Sequence, residues 1–157
     1  MKKDTDVFFE AIRVGDQDRL EALLCINPNL IAAKDARGFT PLILATYFDN
    51  ELATRTLLSY NAEVEGKDAS GNTALIGVSF KGHIALATTL LSKGAQVNAV
   101  NLMGTTPLIF AAQYNKIEMI ELLLAHDANR SLKDHEGKTA LDYAQEKGFT
   151  ELVKLLG

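Results

Sequence analysis

The chain has 157 residues, a formal net charge of −4 at pH 7 and a single cysteine, Cys25. The acidic balance argues against partners that need a basic surface, nucleic acid and anionic membranes, and one cysteine excludes an internal disulfide. No apolar run approaches the length of a membrane span. We therefore expect a cytoplasmic protein, although a chain from which a signal peptide had been removed would read the same way.

Two short amphipathic segments come first. Val7–Ile12 and Asp18–Leu24 have apolar residues at helical spacing, and Gly15 between them is a residue type that ends helices. Asn27 and Pro28 follow the second segment and predict its end. These residues predict an initial pair of helices.

A motif of the form Asp/Asn-x-x-Gly-x-Thr-Pro/Ala-Leu then occurs four times. Its glycines follow one another at intervals of 33 residues, at Gly38, Gly71, Gly104 and Gly137. A fixed period of this size is typical of stacked-repeat proteins. In the first copy Gly38 suits a turn with a positive φ angle, Thr40 can cap the next helix, and Pro41 can occupy its first position.

The period divides the chain into five units, which we assign to one domain covering residues 1–157. The units are 1–34, 35–67, 68–100, 101–133 and 134–157. The first unit lacks the leading motif and the last ends after its second helix. Such atypical terminal units are expected, because each has one face without a neighbour.

Two columns of the repeat support helix pairs independently of the motif. Between the two predicted helices of each unit stand Gly15, Asp49, Gly82, Asn115 and Gly148. After the second helix of the middle units stand Asn61, Gly94 and Asp127. Glycine, asparagine and aspartate tolerate the left-handed conformation that ends a helix. Both columns therefore predict helix–turn–helix units.

The third unit has the weakest helical pattern. Gly77 lies inside its first predicted helix, and Thr88 and Thr89 lie inside its second; all three lower helix propensity. Either packing compensates for these residues, or the stack has a flexible joint at this unit.

The motif, the Leu-Leu pairs and the period resemble the ankyrin repeat, over residues 1–157 and most specifically over 35–148. The resemblance implies an all-α solenoid of five helix–turn–helix units joined by β-turn or hairpin loops. The chain departs from the family at the position after Thr-Pro-Leu, where a histidine is common. That position holds Ile43, Ile76, Ile109 and Asp142. We expect burial of the isoleucines to replace the histidine's hydrogen bonds.

No arrangement of residues indicates catalysis, a cofactor or a metal ion. His83, His126 and His135 lie in different units and at different places in the unit, so no pair has metal-ligand spacing. The glycines are spaced for turns and do not form a phosphate loop. Cys25 has no nearby histidine and is predicted to be a small apolar packing residue.

A candidate binding surface follows from the resemblance. In ankyrin-like stacks the turn tips and the adjacent ends of the first helices line a concave groove that binds proteins. Large aromatics and arginine, which dominate interface energies, are frequent at the matching positions here. The candidate partner-binding residues are Arg37, Phe39, Tyr47, Phe48, Asn72, Phe80, Lys81, Leu102, Met103 and Tyr114. The alternative is that these side chains pack onto their own units; Phe8, Phe110 and Tyr143 are assigned to packing.

The sequence thus predicts a non-catalytic protein–protein interaction module, acting as an adaptor, scaffold or inhibitor. One alternative is a homo-oligomer that uses the same apolar patch. Another is a small-ligand or enzymatic role for the groove, which would require convergent polar groups. The sequence leaves open the partner's identity and the choice between a monomer and a dimer.

Overall fold

The computed structural model describes residues 2–157, and within this range it contains ten α-helices, one short 3-10 helix and no strand. The first helix of each pair is α1 (Asp4–Val14), α3 (Pro41–Tyr47), α5 (Ala74–Lys81), α7 (Pro107–Gln113) and α9 (Ala140–Glu146). The second is α2 (Gln17–Ile26), α4 (Glu51–Ser59), α6 (Ile84–Ser92), α8 (Ile117–Ala125) and α10 (Thr150–Leu156). The 3-10 helix, Pro28–Ala32, follows α2.

The helices form two stacked rows. The first-row helices α1, α3, α5, α7 and α9 each pack on their row neighbours, and the second-row helices α2, α4, α6, α8 and α10 do the same. Each first-row helix also packs on the second-row helix of its own pair. This arrangement confirms the all-α repeat solenoid. No helix in residues 2–157 has the length and apolar character needed to cross a bilayer.

Threonine caps start the first-row helices after α1. The Thr40 hydroxyl accepts a hydrogen bond from the Ile43 amide at 3.1 Å, as the sequence predicts, and Pro41 is the first helical residue. The equivalent threonines of the later units, Thr73, Thr106 and Thr139, cap α5, α7 and α9 in the same way. The regular spacing of the motif thus has a local cause, since each cap satisfies an amide that the helix leaves unpaired.

The two turn columns have the predicted backbone conformation. Between the helices of each pair, positive φ angles occur at Gly15, Asp49, Gly82, Asn115 and Gly148. After the second helix, they occur at Asn61, Gly94 and Asp127. Because each of these residues tolerates the left-handed region, every unit can reverse direction at the same place.

The isoleucines that replace the family's usual histidine are buried. Ile43, Ile76 and Ile109 expose no more than 7% of their surface, which confirms the expected burial. Asp142 behaves differently, because its carboxylate accepts a hydrogen bond from the Thr139 amide at 2.9 Å and completes a capping box.

Cys25 corrects one prediction, because its side chain is exposed and is not a packing residue. Leu20 and Leu24 fill the buried face of α2. Cys25 is one residue beyond Leu24, and at 3.6 residues per turn it points away from that face. Its Sγ atom lies 3.4 Å from the Tyr60 hydroxyl.

Candidate partner-binding groove

Each turn tip is held by the first residue of its motif. The Asp35 carboxylate accepts hydrogen bonds from the amides of Arg37 and Phe39, both at 2.9 Å. The Asp68 carboxylate does the same for the amides of Ser70 and Asn72, at 2.8 and 2.9 Å. Asn101 and Asp134 hold the two later tips by the same pair of bonds. An Asp or Asn at this position therefore fixes where the tip side chains point.

Neighbouring tips are also bonded to one another. The Leu102 amide donates to the Ser70 carbonyl at 3.1 Å, and the His135 amide donates to the Met103 carbonyl at 3.0 Å. The Asn101 side-chain amide donates to the Asn72 side-chain oxygen at 2.9 Å. These bonds join the second, third and fourth tips into one surface. We use the word groove for this surface together with the C-terminal ends of the first-row helices.

Three predicted residues form aromatic cluster A, which consists of Phe39, Tyr47 and Phe48. The ring centroids of Phe39 and Tyr47 are 5.8 Å apart, and those of Tyr47 and Phe48 are 5.2 Å apart. The Arg37 guanidinium lies 4.5 Å from the centre of the Phe39 ring. Cluster A is therefore a contiguous aromatic surface with a cation stacked on one end.

Aromatic cluster B consists of Phe80, Phe110 and Tyr114. The centroids of Phe80 and Phe110 are 5.2 Å apart, and those of Phe80 and Tyr114 are 4.6 Å apart. The sequence assigns Phe110 to packing, but its half-buried ring belongs to this cluster and lines the groove. Its place four residues before Tyr114, on the same helix face, is the sequence signal that could have identified it.

Two lysines fasten the ends of neighbouring first-row helices. The Lys81 ammonium donates to the Tyr47 carbonyl and to the Asp49 carboxylate, the latter at 2.7 Å. The Lys147 ammonium donates to the Gln113 carbonyl at 2.8 Å and lies 5.5 Å from the Tyr114 ring centre. Both lysines satisfy carbonyls that a helix C-terminus leaves unpaired. Lys147 is not among the candidates predicted from the sequence. It is the equivalent of Lys81 two units further along the chain.

The large side chains of this surface are solvent-accessible. Tyr47 exposes 52% of its surface, Tyr114 49%, Leu102 67% and Met103 60%. Phe48 and Phe80 are also exposed, whereas Phe39 is half-buried. Leu102 and Met103 lie on the third tip, outside both aromatic clusters. These side chains therefore add exposed apolar surface along the groove.

A pocket of about 260 Å³ lies between the two clusters. We call it the Gly77 pocket. It is lined by Phe39, Ile43, Thr46, Tyr47, Asp68, Asn72, Thr73, Ala74, Gly77, Phe80, Lys81 and Phe110. The structure thus brings five of the ten candidates together in one pocket. From the sequence, Gly77 stands out only as a weak point of its helix.

A second hollow, of about 540 Å³, lies beside the first unit. Arg37 and Phe48 line it together with polar and charged residues of α1, including Asp6, Glu10 and Arg13. The first unit has no turn tip, so this hollow opens where the other units carry one. Its mixed charges contrast with the largely apolar wall of the Gly77 pocket.

Two titratable groups of the fifth unit, Tyr143 and Asp134, are hydrogen-bonded to each other. Tyr143 is buried and its hydroxyl donates a hydrogen bond to Asp134. Burial, together with the Asp134 carboxylate, raises the pKa of Tyr143 to about 12. Burial alone would raise the pKa of Asp134, but hydrogen bonds from Tyr143 and the Lys138 and Glu136 amides lower it below its usual value. Tyr143 is therefore a packing residue, as the sequence predicts.

No group of three or more His, Cys, Asp or Glu side chains within residues 2–157 is placed to hold a metal ion. The charged groups that line the Gly77 pocket, Asp68 and Lys81, already bond to the protein. Both oxygens of Asp68 accept hydrogen bonds from its own turn. The Lys81 ammonium donates to the Tyr47 carbonyl and the Asp49 carboxylate. The pocket therefore offers shape and apolar surface more than reactive groups.

Comparison with known proteins gives one finding about the family. A family model described as ankyrin repeats, in three copies, matches residues 8–101 and again residues 78–157. The two matches overlap and together span residues 8–157. A search of curated proteins gave no match to the chain.

Proposed function

The chain belongs to the ankyrin-repeat family, and we propose that it is a non-catalytic module that binds a partner protein through the groove. Ankyrin repeats generally serve protein–protein interaction. The observation that carries the proposal is the row of exposed aromatic rings in clusters A and B. Exposed rings that are already ordered by neighbours lose little conformational freedom on binding, which favours affinity.

The polar groups of the groove support a protein partner over a small substrate. A catalytic or small-ligand site needs polar groups that converge on the ligand. In the Gly77 pocket, Asp68 holds its own tip and Lys81 fastens two helices. The groups best placed to contact a partner are instead apolar rings and the Arg37 guanidinium, which are residue types that dominate protein interfaces.

We propose a cytoplasmic location on the basis of the cysteine. Cys25 is exposed, and no second cysteine exists in the chain to pair with it. An exposed unpaired thiol suits a reducing compartment, where disulfides are rare. Fractionation of cells that produce the tagged protein would place it, and recovery with the secreted fraction would contradict the proposal.

The proposed function is tested by affinity capture from the native lysate. The wild type is compared with the variant Tyr47→Ala, Phe48→Ala, Phe80→Ala, Tyr114→Ala, after circular dichroism confirms that both are folded. The matched control is Ile26→Ala, Leu52→Ala, which removes exposed apolar side chains from second-row helices. We expect proteins retained by the wild type and the control to be lost with the groove variant. Retention of the same proteins by all three would refute the groove as the binding surface.

The same apolar surface could instead join two copies of the chain. Light scattering over a concentration series separates this alternative, because a homodimer has twice the mass of the chain and dissociates on dilution. If the wild type is dimeric and the groove variant monomeric, the groove is a self-association surface and the proposal of a different partner fails.

A further inference from the structure

The Gly77 pocket exists because one column of the repeat lacks a side chain. At intervals of 33 residues the same column holds Leu44, Gly77, Phe110 and Tyr143. Leu44 and Tyr143 are buried, and Phe110 is half-buried. At Gly77 a Cβ atom would meet no heavy atom within 4 Å outside its own helix turn. Space that side chains fill in the other units is therefore open in the third.

The walls of the pocket come from two adjacent first-row helices. Ala74, Gly77 and Phe80 lie on one face of α5 at steps of three residues, and Thr73, the cap of α5, directly precedes them. Ile43, Thr46 and Tyr47 form the facing wall on α3. Phe39 comes from a tip and Phe110 from α7. Four of the lining side chains are aromatic, so the pocket is a slot between rings with helix backbone at its floor.

The volume sets the size of the occupant. Pockets for small molecules and cofactors usually measure about 300–1,000 Å³, and this one measures about 260 Å³. This volume lies just below the lower end of that range and has room for one large side chain of a protein partner. Protein interfaces commonly place such an anchor side chain in an apolar pocket near their centre.

The charges around the pocket indicate what accompanies that side chain. Arg37 lies over Phe39, its side chain is 53% exposed, and its contact with Asp35 is long, at 3.4 Å. Most of its five N–H donors therefore face solvent. Asp68, the carboxylate on the pocket wall, already accepts N–H groups of Ser70 and Asn72. Arg37 lines the neighbouring hollow and stacks on Phe39 of the pocket wall, so it is an available cationic donor beside the pocket.

We propose that the Gly77 pocket takes one aromatic or branched aliphatic side chain of a partner protein, and that an Asp or Glu a few residues away in the partner contacts Arg37. The inference rests on the proposed function and adds the chemistry of the partner: a bulky apolar anchor next to a carboxylate. Gly77 is then the residue that determines specificity, because any side chain at this position would occupy the anchor's place.

The test uses random short peptides displayed on phage and selected on the immobilised wild-type chain. We expect enrichment of peptides in which a bulky apolar residue has an acidic neighbour. Binding of the enriched peptides to Gly77→Leu should be at least about tenfold weaker, since an apolar group fitted to a pocket typically contributes a factor of that size. Arg37→Gln should weaken binding of the same peptides several-fold, and more at low salt.

Matched variants keep the result interpretable. Ala85→Leu adds the same side chain at an exposed position of α6 and should bind like the wild type. If Gly77→Leu does not fold, the Gly77 amide of the wild type provides the readout. The chemical shift of this amide should change at the first additions of an enriched peptide in an NMR titration.

Three results would overturn the inference: equal peptide binding by Gly77→Leu, an unmoved Gly77 signal, or enrichment of peptides without acidic residues. Its failure can be told apart from failure of the proposed function. If the four-alanine groove variant loses lysate partners that Gly77→Leu retains, the groove binds proteins but the pocket inference is wrong. If neither variant loses them, both proposals fail.

Discussion

The Phe80 ring lies edge-on against the Tyr114 ring, with 4.6 Å between their centroids and 81° between their planes. Phe80 lies in the last turn of the first helix of the third unit, and Tyr114 follows the first helix of the fourth. A contact between exposed rings thus joins two units. The candidate binding surface therefore also contributes to the stiffness of the stack, and its substitutions carry a stability cost that binding experiments must control for.

A double-mutant cycle measures that contribution. We expect Phe80→Ala and Tyr114→Ala to be coupled by about 0.5–1.5 kcal/mol in the free energy of unfolding, the usual value of an edge-to-face pair. Urea denaturation of the wild type, both single variants and the double variant provides the measurement. Tyr47→Ala combined with Tyr114→Ala is the control, because these rings belong to different clusters and their effects should add. Additivity at Phe80 and Tyr114 as well would mean that the ring contact contributes nothing.

Gly77 provides a second stability prediction. Most substitutions destabilise a protein, whereas this one should stabilise it. Gly77→Ala should stabilise the chain by about 0.4–1 kcal/mol, because alanine restricts the unfolded chain and has room in the folded one. The expected rise in Tm is about 2–4 °C at most, measured by circular dichroism.

Gly94→Ala is the matched control. A Cβ atom at Gly94 would also meet nothing within 4 Å, but the φ angle of this residue is +88°, where alanine is strained. This variant should be destabilised. If both alanine variants changed stability in the same direction, backbone conformation would not be the deciding factor at these two glycines.

Much of the fold could be predicted because the repeat places the same physical requirement at each interval of 33 residues. The Thr40 hydroxyl must accept a hydrogen bond from an amide, and Asp49 must adopt a positive φ angle. Both requirements depend only on local backbone geometry. Such requirements restrict the residue types directly. Repetition then makes them visible without an alignment.

The candidate site was harder to predict, because it depends on which side chains of different units meet. The repeat frame correctly places Phe80 and Tyr114 on one surface, but it assigns Phe110 to packing and Gly77 to a weak helix. A glycine in a helix has the same helix propensity whether it faces solvent or a neighbouring unit. Only the packing of α3, α5 and α7 reveals that a pocket lies over it.

Cys25 is the subject of a third prediction. Because its side chain is exposed, Cys25→Ala should change the free energy of unfolding by no more than about 0.5 kcal/mol. The adjacent Leu24 is completely buried, so Leu24→Ala should cost about 2–5 kcal/mol. A thiol-reactive dye should label the native chain as fast as the urea-unfolded chain. Slow labelling of the native chain would indicate that the thiol is covered.

The contact between Tyr143 and Asp134 predicts how stability depends on pH. The pKa of Asp134 is lowered in the folded chain from a usual 3.8, so its contribution is present above pH 3.8 and is lost as the pH falls below that value. The pKa of Tyr143 is raised from 10.0 to about 12, so its contribution is present below pH 10 and is lost between pH 10 and 12.

Tyr143→Phe removes the hydrogen bond between Tyr143 and Asp134. It should therefore change how stability is lost at both acid and alkaline pH. Near pH 7 the variant should be less stable by about 1.5–3 kcal/mol, the usual value of a hydrogen bond to a charged group. Without the tyrosine donor, the pKa of Asp134 should be higher in the variant than in the wild type. Acid unfolding of the variant should therefore begin at a higher pH. The loss of stability between pH 10 and 12 should become smaller.

Tm measured by circular dichroism across both pH ranges tests this prediction, with Tyr47→Phe in the second unit as the control. Identical pH profiles for wild type and Tyr143→Phe would mean that the hydrogen bond to Asp134 is not maintained in solution.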